Sequence, residues 1–136
     1  MKHEFQLKLF EKYPTVFKFE KTDPASPTCF FMFGIECGDG WYDILDKLLH
    51  LIAWHQKDAK KYNPKYENVS ITQIKEKFGT LRFYYTGGDD YISGLVAMAE
   101  TMSSVACEEC GNRGSQTDTG WIRTLCKVHS KLDANT

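Results

Sequence analysis

The sequence predicts an α+β fold, a small, mainly antiparallel sheet packed on two or three helices, followed by a compact C-terminal module. Three observations carry this. Apolar residues recur at helical spacing over 41–62, and two strand-like runs, 69–78 and 80–86, meet at Phe78-Gly79. The chain then closes with Cys107-Glu-Glu-Cys110 and, after fifteen intervening residues, Cys126-Lys-Val-His129. Helical periodicity next to strand-like runs, without a regular βαβ alternation, points to α+β.

With 136 residues, 42% of them hydrophobic and 14% aromatic, the chain can bury a core of its own. The formal net charge of −1 argues against a protein devoted to coating duplex DNA, though it leaves room for a local basic face. The opening Met-Lys-His-Glu-Phe starts no apolar run of signal-peptide length, and the apolar stretch 48–54 is too short to span a bilayer. A cytoplasmic protein without a membrane partner is the expectation.

Residues 3–12 place apolar groups at Phe5, Leu7, Leu9 and Phe10 and read as a short amphipathic helix, ended at Tyr13-Pro14. Residues 22–28 hold two prolines and read as a loop; Thr28 to Cys37 has strand composition. Gly38-Asp39-Gly40 reads as a turn in which Asp39 caps the next helix, Trp41 to about Tyr62. Its apolar stripe is Ile44, Leu45, Leu48, Ile52 and His55, and the opposite face holds Asp43, Asp46, Lys47, His50, Trp54 and Lys57. Asn63-Pro64 stops it. Strands 69–78 and 80–86 form a hairpin, and Gly87-Gly88-Asp89-Asp90 turns into a third helix reaching about Ala106, capped by an aspartate. The predicted division is a core of 1–106 and a metal module of 107–136.

The strongest chemical signal is the ligand set Cys107, Cys110, Cys126 and His129. Three thiolates and an imidazole on two closely spaced pairs suit a tetrahedral structural Zn2+. Four protein ligands close the shell, whereas a catalytic zinc keeps a position open. Zinc deaminases place their glutamate beside the histidine ligand, and here Ser-Lys-Leu follows His129, so Glu108 and Glu109 do not fit that role. Cys29 and Cys37 are left, read as reduced, partly buried thiols, with a disulfide between them as the second reading.

The hairpin supplies the next candidates. With Phe78-Gly79 as a two-residue turn, Ile74, Leu81, Phe83 and Tyr85 share one face, and Gln73, Lys75, Lys77, Arg82 and Tyr84 the other. Lys75 then lies opposite Arg82, a like-charge pair that costs stability. Either an anion relieves it, from a ligand or a neighbouring carboxylate, or the register is shifted by one. Lys75, Lys77, Arg82 and Tyr84 suit a phosphate-bearing, stackable ligand, and a merely solvated face suits them too. Arg123 beside the metal module can meet a phosphate, a partner carboxylate or solvent. Within 120–125, a predicted strand, Trp121 is expected to pack on the third helix. Trp54, out of place on a charged face, calls for a cover: another segment of the chain, a target protein or, most simply, a second copy in a homodimer.

Gly-Asp-Gly-Trp-Tyr-Asp at 38–43, Lys-Glu-Lys-Phe-Gly-Thr-Leu-Arg-Phe-Tyr at 75–84, and Cys107-x-x-Cys110 followed by Gly-Trp-Ile-Arg-Thr-Leu-Cys at 120–126 and His129 together resemble a family of small, largely uncharacterised bacterial and phage proteins. The resemblance spans roughly residues 30–130 and implies a setting, a protein that binds and blocks a host component, without implying a mechanism. The leading expectation is a non-enzymatic, zinc-stabilised binding protein engaging a host protein or a nucleotide-like small molecule through the hairpin and metal module. A nucleic-acid-binding regulator using the same basic face comes second, and an enzyme whose residues converge only in three dimensions third.

Overall fold

A computed structural model of the chain describes residues 1–17, 34–118 and 120–135. The predicted loop at 22–28, the first part of the predicted strand at 28–37, and Cys29 lie outside the described residues.

Helix α1 (His3–Lys12) turns Leu9 fully inward and ends where the Tyr13 amide bonds to the Leu9 carbonyl. A single 3-10 turn (Asp39–Trp41) leads into α2 (Tyr42–Tyr62), whose Leu45, Leu48, Leu49 and Ile52 follow the helical repeat into the core beside a fully buried Trp41. Two expectations are corrected here. Asp39 does not cap α2; its carboxylate accepts the Lys2 amide at 2.8 Å and so serves the start of α1. Asp46 is not on a solvated face but only 6% exposed, because Lys12 at the end of α1 and the hydroxyl of Tyr13 just after it close over its carboxylate.

The sheet has three strands in the order β1 (Ile35–Glu36), β2 (Ser70–Lys77), β3 (Thr80–Thr86). β2 and β3 form the predicted hairpin in the predicted register: Lys77 faces Thr80, Lys75 faces Arg82, Ile74 faces Phe83. The turn residues Phe78 and Gly79 both take positive φ, 52° and 80°, the twist a two-residue hairpin turn favours. A bulge between Ile71 and Gln73 shifts the pairing, so that Ile71 joins Ile74, Leu81 and Phe83 on the buried face. β1 runs parallel to β2 over Ile35 and Glu36, which makes the sheet mixed, while its longer pairing, β2 with β3, is antiparallel.

Both free edges are closed by side chains or by the Met1 amino group. On β1, Gln6 accepts the Ile35 amide, and the Met1 amino group donates to the Ile35 and Cys37 carbonyls. On β3, the Ser103 hydroxyl accepts the Leu81 amide at 2.8 Å and the Glu100 carboxylate the Phe83 amide at 3.0 Å. Unpaired edge amides invite another strand, and these are satisfied instead.

Helix α3 (Asp90–Ser103) is capped by Asp89, whose carboxylate accepts the Ile92 amide. Its row Ile92, Val96, Ala99, Ser103 packs on α2 and β3. It stops at Ser103, short of the predicted Ala106, where the amides of Ser104, Val105 and Ala106 bond three residues back instead of four. The C-terminal segment follows: a two-stranded ribbon of β4 (Ser115–Gln116) and β5 (Thr124–Leu125), then α4 (Lys127–Ala134). Only two residues of the predicted strand at 120–125 are extended. Trp121 does not pack on α3; it stands 77% exposed in the connection from β4 to β5. No helix of the described residues is long and apolar enough to cross a membrane.

Candidate metal centre and the surface around it

The turn after Ala106 carries Cys107 and Cys110, and β5 delivers Cys126 to the first turn of α4, one turn before His129. The four ligand atoms lie within 4.8 Å of one another. His129 Nδ1 is 3.5 Å from Cys107 Sγ and 3.3 Å from Cys126 Sγ, and the Cys110 and Cys126 sulfurs are 3.9 Å apart. A tetrahedral metal about 2.3 Å from each sulfur sets sulfur–sulfur edges of about 3.8 Å, so this cluster has the dimensions to hold a metal ion. The His129 and Val128 amides point at Cys126 Sγ from the start of α4, and they, with the His129 ring, bring that thiol down to about 6, the direction a thiolate ligand needs. Cys37 is the opposite case: burial pushes its thiol up to about 12, the value of an inert core residue.

The knuckle is seated on the core by backbone. The Gly40 amide donates to the Glu108 carbonyl at 2.8 Å, Trp41 Nε1 to the Ala106 carbonyl at 2.9 Å, and the Gly38 amide to the Glu108 carboxylate at 3.1 Å. On the other side the Thr124 hydroxyl donates to the Gly79 carbonyl at 2.6 Å, and Gln116 Nε2 to the Phe78 carbonyl. The three sequence segments 38–43, 75–84 and 107–129 are therefore one contact region: the glycine-rich turn holds the first knuckle and the hairpin tip holds the second. Glu108 and Glu109 are absorbed structurally, Glu108 by Gly38 and Glu109 by Arg123.

The other candidate residues divide. Lys75 does face Arg82, and carboxylates flank the pair on both sides: Glu36 stands beside Lys75 across the β1–β2 register, and Glu100 lies 3.9 Å from Arg82. Tyr84 is on the same outer face, 42% exposed. Lys77 ends the strand with its ammonium 5.6 Å from the Phe78 ring centroid. Arg123 spends its charge inside the chain, on Glu109, on Asp133 at 3.1 Å and on Glu108 at 3.8 Å, and so ties the knuckle to α4. Trp54 belongs to a different place, a cavity sharing no lining residue with this region.

Comparison with protein-family models, with curated proteins and with solved structures gives no match. The site must speak through its own geometry. What the sequence reading missed is the apolar rim: Phe78 is 66% exposed and Ile122 41%, and with Trp121, Lys75 and Lys77 they line a groove of about 380 Å³ between hairpin tip and knuckle loop. Its only local signal was an aromatic residue at a turn position that favours glycine or asparagine.

Proposed function

We propose that the chain is a non-enzymatic, zinc-stabilised binding protein that engages a partner protein through the groove between the hairpin tip and the knuckle loop. The observation that carries this is the contiguous exposure of Phe78, Trp121 and Ile122 on a tip anchored by the buried Thr124–Gly79 hydrogen bond. Isolated exposed apolar residues are ordinary; a cluster with two aromatics on a rigid support is what interface anchors are made of. The metal is Zn2+ in this reading, because three thiols and one imidazole at tetrahedral spacing favour it over harder cations. Its role is structural: it fixes the loop that presents Trp121. A bacterial or phage protein acting on a host component is the setting that the sequence resemblance adds to the proposal.

The test is affinity capture from a bacterial lysate with the wild-type chain and with the double variant Phe78→Ser/Trp121→Ser. A specific protein retained by the first and lost by the second, at equal metal content and melting temperature, supports the reading. The same proteins retained by both would defeat it.

A nucleic-acid reading has one observation in its favour: Lys75 and Lys77 line the same groove as Phe78 and Trp121, and alternating cations and rings suit a single strand. Retention on heparin that falls steeply with salt, abolished by Lys75→Glu/Lys77→Glu, would move the conclusion there.

A further inference from the structure

We infer a second site, a pocket for a nucleoside monophosphate between α1, α2 and the residue preceding Val69, remote from the metal centre. The pocket encloses about 510 Å³, within the range of small-molecule sites. On α2, His50, Trp54 and Lys57 form one helical row along it, and Ala53, Gln56 and Lys60 the next. Lys12, Tyr13 and Thr15 close the second side, and Asn68 the third.

Three features point to a ligand of this chemistry. Trp54 is 55% exposed and offers a ring face where the rest of the helix surface is charged, which a planar heterocycle would cover by stacking. Gln56 is only 3% exposed; its carbonyl oxygen accepts the Val69 amide, while its Nε2 is buried with no partner. Asn68 Oδ1 is likewise buried and unpartnered. Both residues line the pocket, and each holds beside it a buried polar atom without a partner, which costs stability; each nucleobase carries an adjacent acceptor and donor on its pairing edge. The cations are free for a phosphate: Lys61 leans on Asp58 at 3.9 Å, but no ion pair joins Lys57 or Lys60 to a carboxylate among the described residues. Lys12 is different, since it is held by Asp46 at 2.8 Å and acts as a wall.

The base stacks on Trp54, a turn of the Gln56 and Asn68 side chains brings their unpartnered groups to its edge, and the phosphate sits between Lys57 and Lys60. Trp54 thus has a use that needs no second subunit.

The experiment is a magnetic-resonance titration of the full chain with adenosine, guanosine, cytidine and uridine monophosphates, following the Trp54 indole and Gln56 side-chain amide signals. At least one nucleotide shifts both signals saturably, and its nucleoside without phosphate binds about tenfold more weakly, as loss of charge-assisted contacts implies. Lys57→Glu/Lys60→Glu lowers nucleotide affinity by about tenfold or more by the same reasoning and leaves the melting temperature and metal content unchanged. Phe78→Ser/Trp121→Ser leaves the titration unaltered, so this site and the partner-binding groove stand or fall separately. If no nucleotide moves Trp54 and Gln56 at millimolar concentration, or if ribose 5-phosphate binds as well as the nucleotide, the pocket is not a nucleotide site.

Discussion

The Gly40 amide donates to the carbonyl oxygen of Glu108 at 2.8 Å, across 68 positions of sequence, and that bond leaves no room for a side chain on Gly40. A Cβ there would stand 2.1 Å from the Cys107 carbonyl oxygen and 2.5 Å from the Gly111 amide nitrogen. Backbone cannot yield as a flexible side chain would. Gly40→Ala is therefore expected to destabilise by about 3 kcal/mol or more, at the upper end of overpacking costs. Gly94, inside α3, has open space around its Cβ position, so Gly94→Ala should stabilise by about 0.5–1 kcal/mol. Urea unfolding of the two variants side by side checks both signs.

Because the knuckle is bonded to the core through Gly38, Gly40 and Trp41, metal removal should be felt beyond the C-terminal segment. Freshly purified protein should carry one zinc per chain, read by elemental analysis. Cys110→Ser, at an exposed ligand, should lose the metal, and with it a contribution on the order of 10 kcal/mol to folding of the metal-nucleated segment. The near-ultraviolet signal of buried Trp41 should change at the same time, while α2 keeps its helical signal. A Trp41 signal indifferent to chelation would show that the contact region does not couple the two parts.

Much of the architecture could be read from local pattern. The central helix follows from its apolar spacing, the hairpin register from a two-residue turn, and the cluster of Cys107, Cys110, Cys126 and His129 from two short spacings, each a signal contained within a few neighbouring residues. The residues that escaped depend on distant ones. A two-residue strand such as Ile35–Glu36 shows no periodicity, so its parallel pairing with β2 has no signature in the sequence. Asp46 reads as solvated on its helix, and Lys12 and Tyr13, 34 and 33 positions away, make it a buried acceptor. Trp41 and Trp121 both follow a glycine, yet Trp41 is fully buried in the core with its indole nitrogen on the Ala106 carbonyl, and Trp121 is 77% exposed. Arg123 likewise offered no hint that Glu108, Glu109 and Asp133 would surround it.

The closed edge of β3 predicts a graded series. Ser103→Ala leaves the Leu81 amide buried and unpaired, which costs about 1–3 kcal/mol. Glu100→Gln keeps an acceptor for the Phe83 amide and should cost less than Glu100→Ala. Hydrogen exchange at Leu81 and Phe83 should accelerate in the order that each cap is lost. If Ser103→Ala leaves exchange at Leu81 unchanged, the cap is not what protects the strand.

The contact of Asp46 with Tyr13 and Lys12 sets a pH dependence at both ends of the scale. Burial alone would raise the Asp46 carboxyl, but the hydrogen bonds from Lys12 and Tyr13 outweigh it and hold the group below its ordinary value. A depressed carboxyl stabilises the fold above its unfolded pKa, and that contribution fades as pH falls through the folded value, below about pH 4. Tyr13 is shifted the other way, to about 12, first by burial and then by the adjacent Asp46 carboxylate. A raised phenol stabilises fully below its unfolded pKa and loses that contribution as pH climbs from about 10 towards 12, since the unfolded chain then holds fewer protons. Tyr13→Phe should therefore differ most from wild type near neutrality, and the gap in unfolding midpoint should narrow above about pH 10. Asp46→Asn should do the same on the acid side. A gap that stays constant from neutrality to about pH 12 would show that neither burial nor Asp46 shifts the Tyr13 hydroxyl in the folded chain.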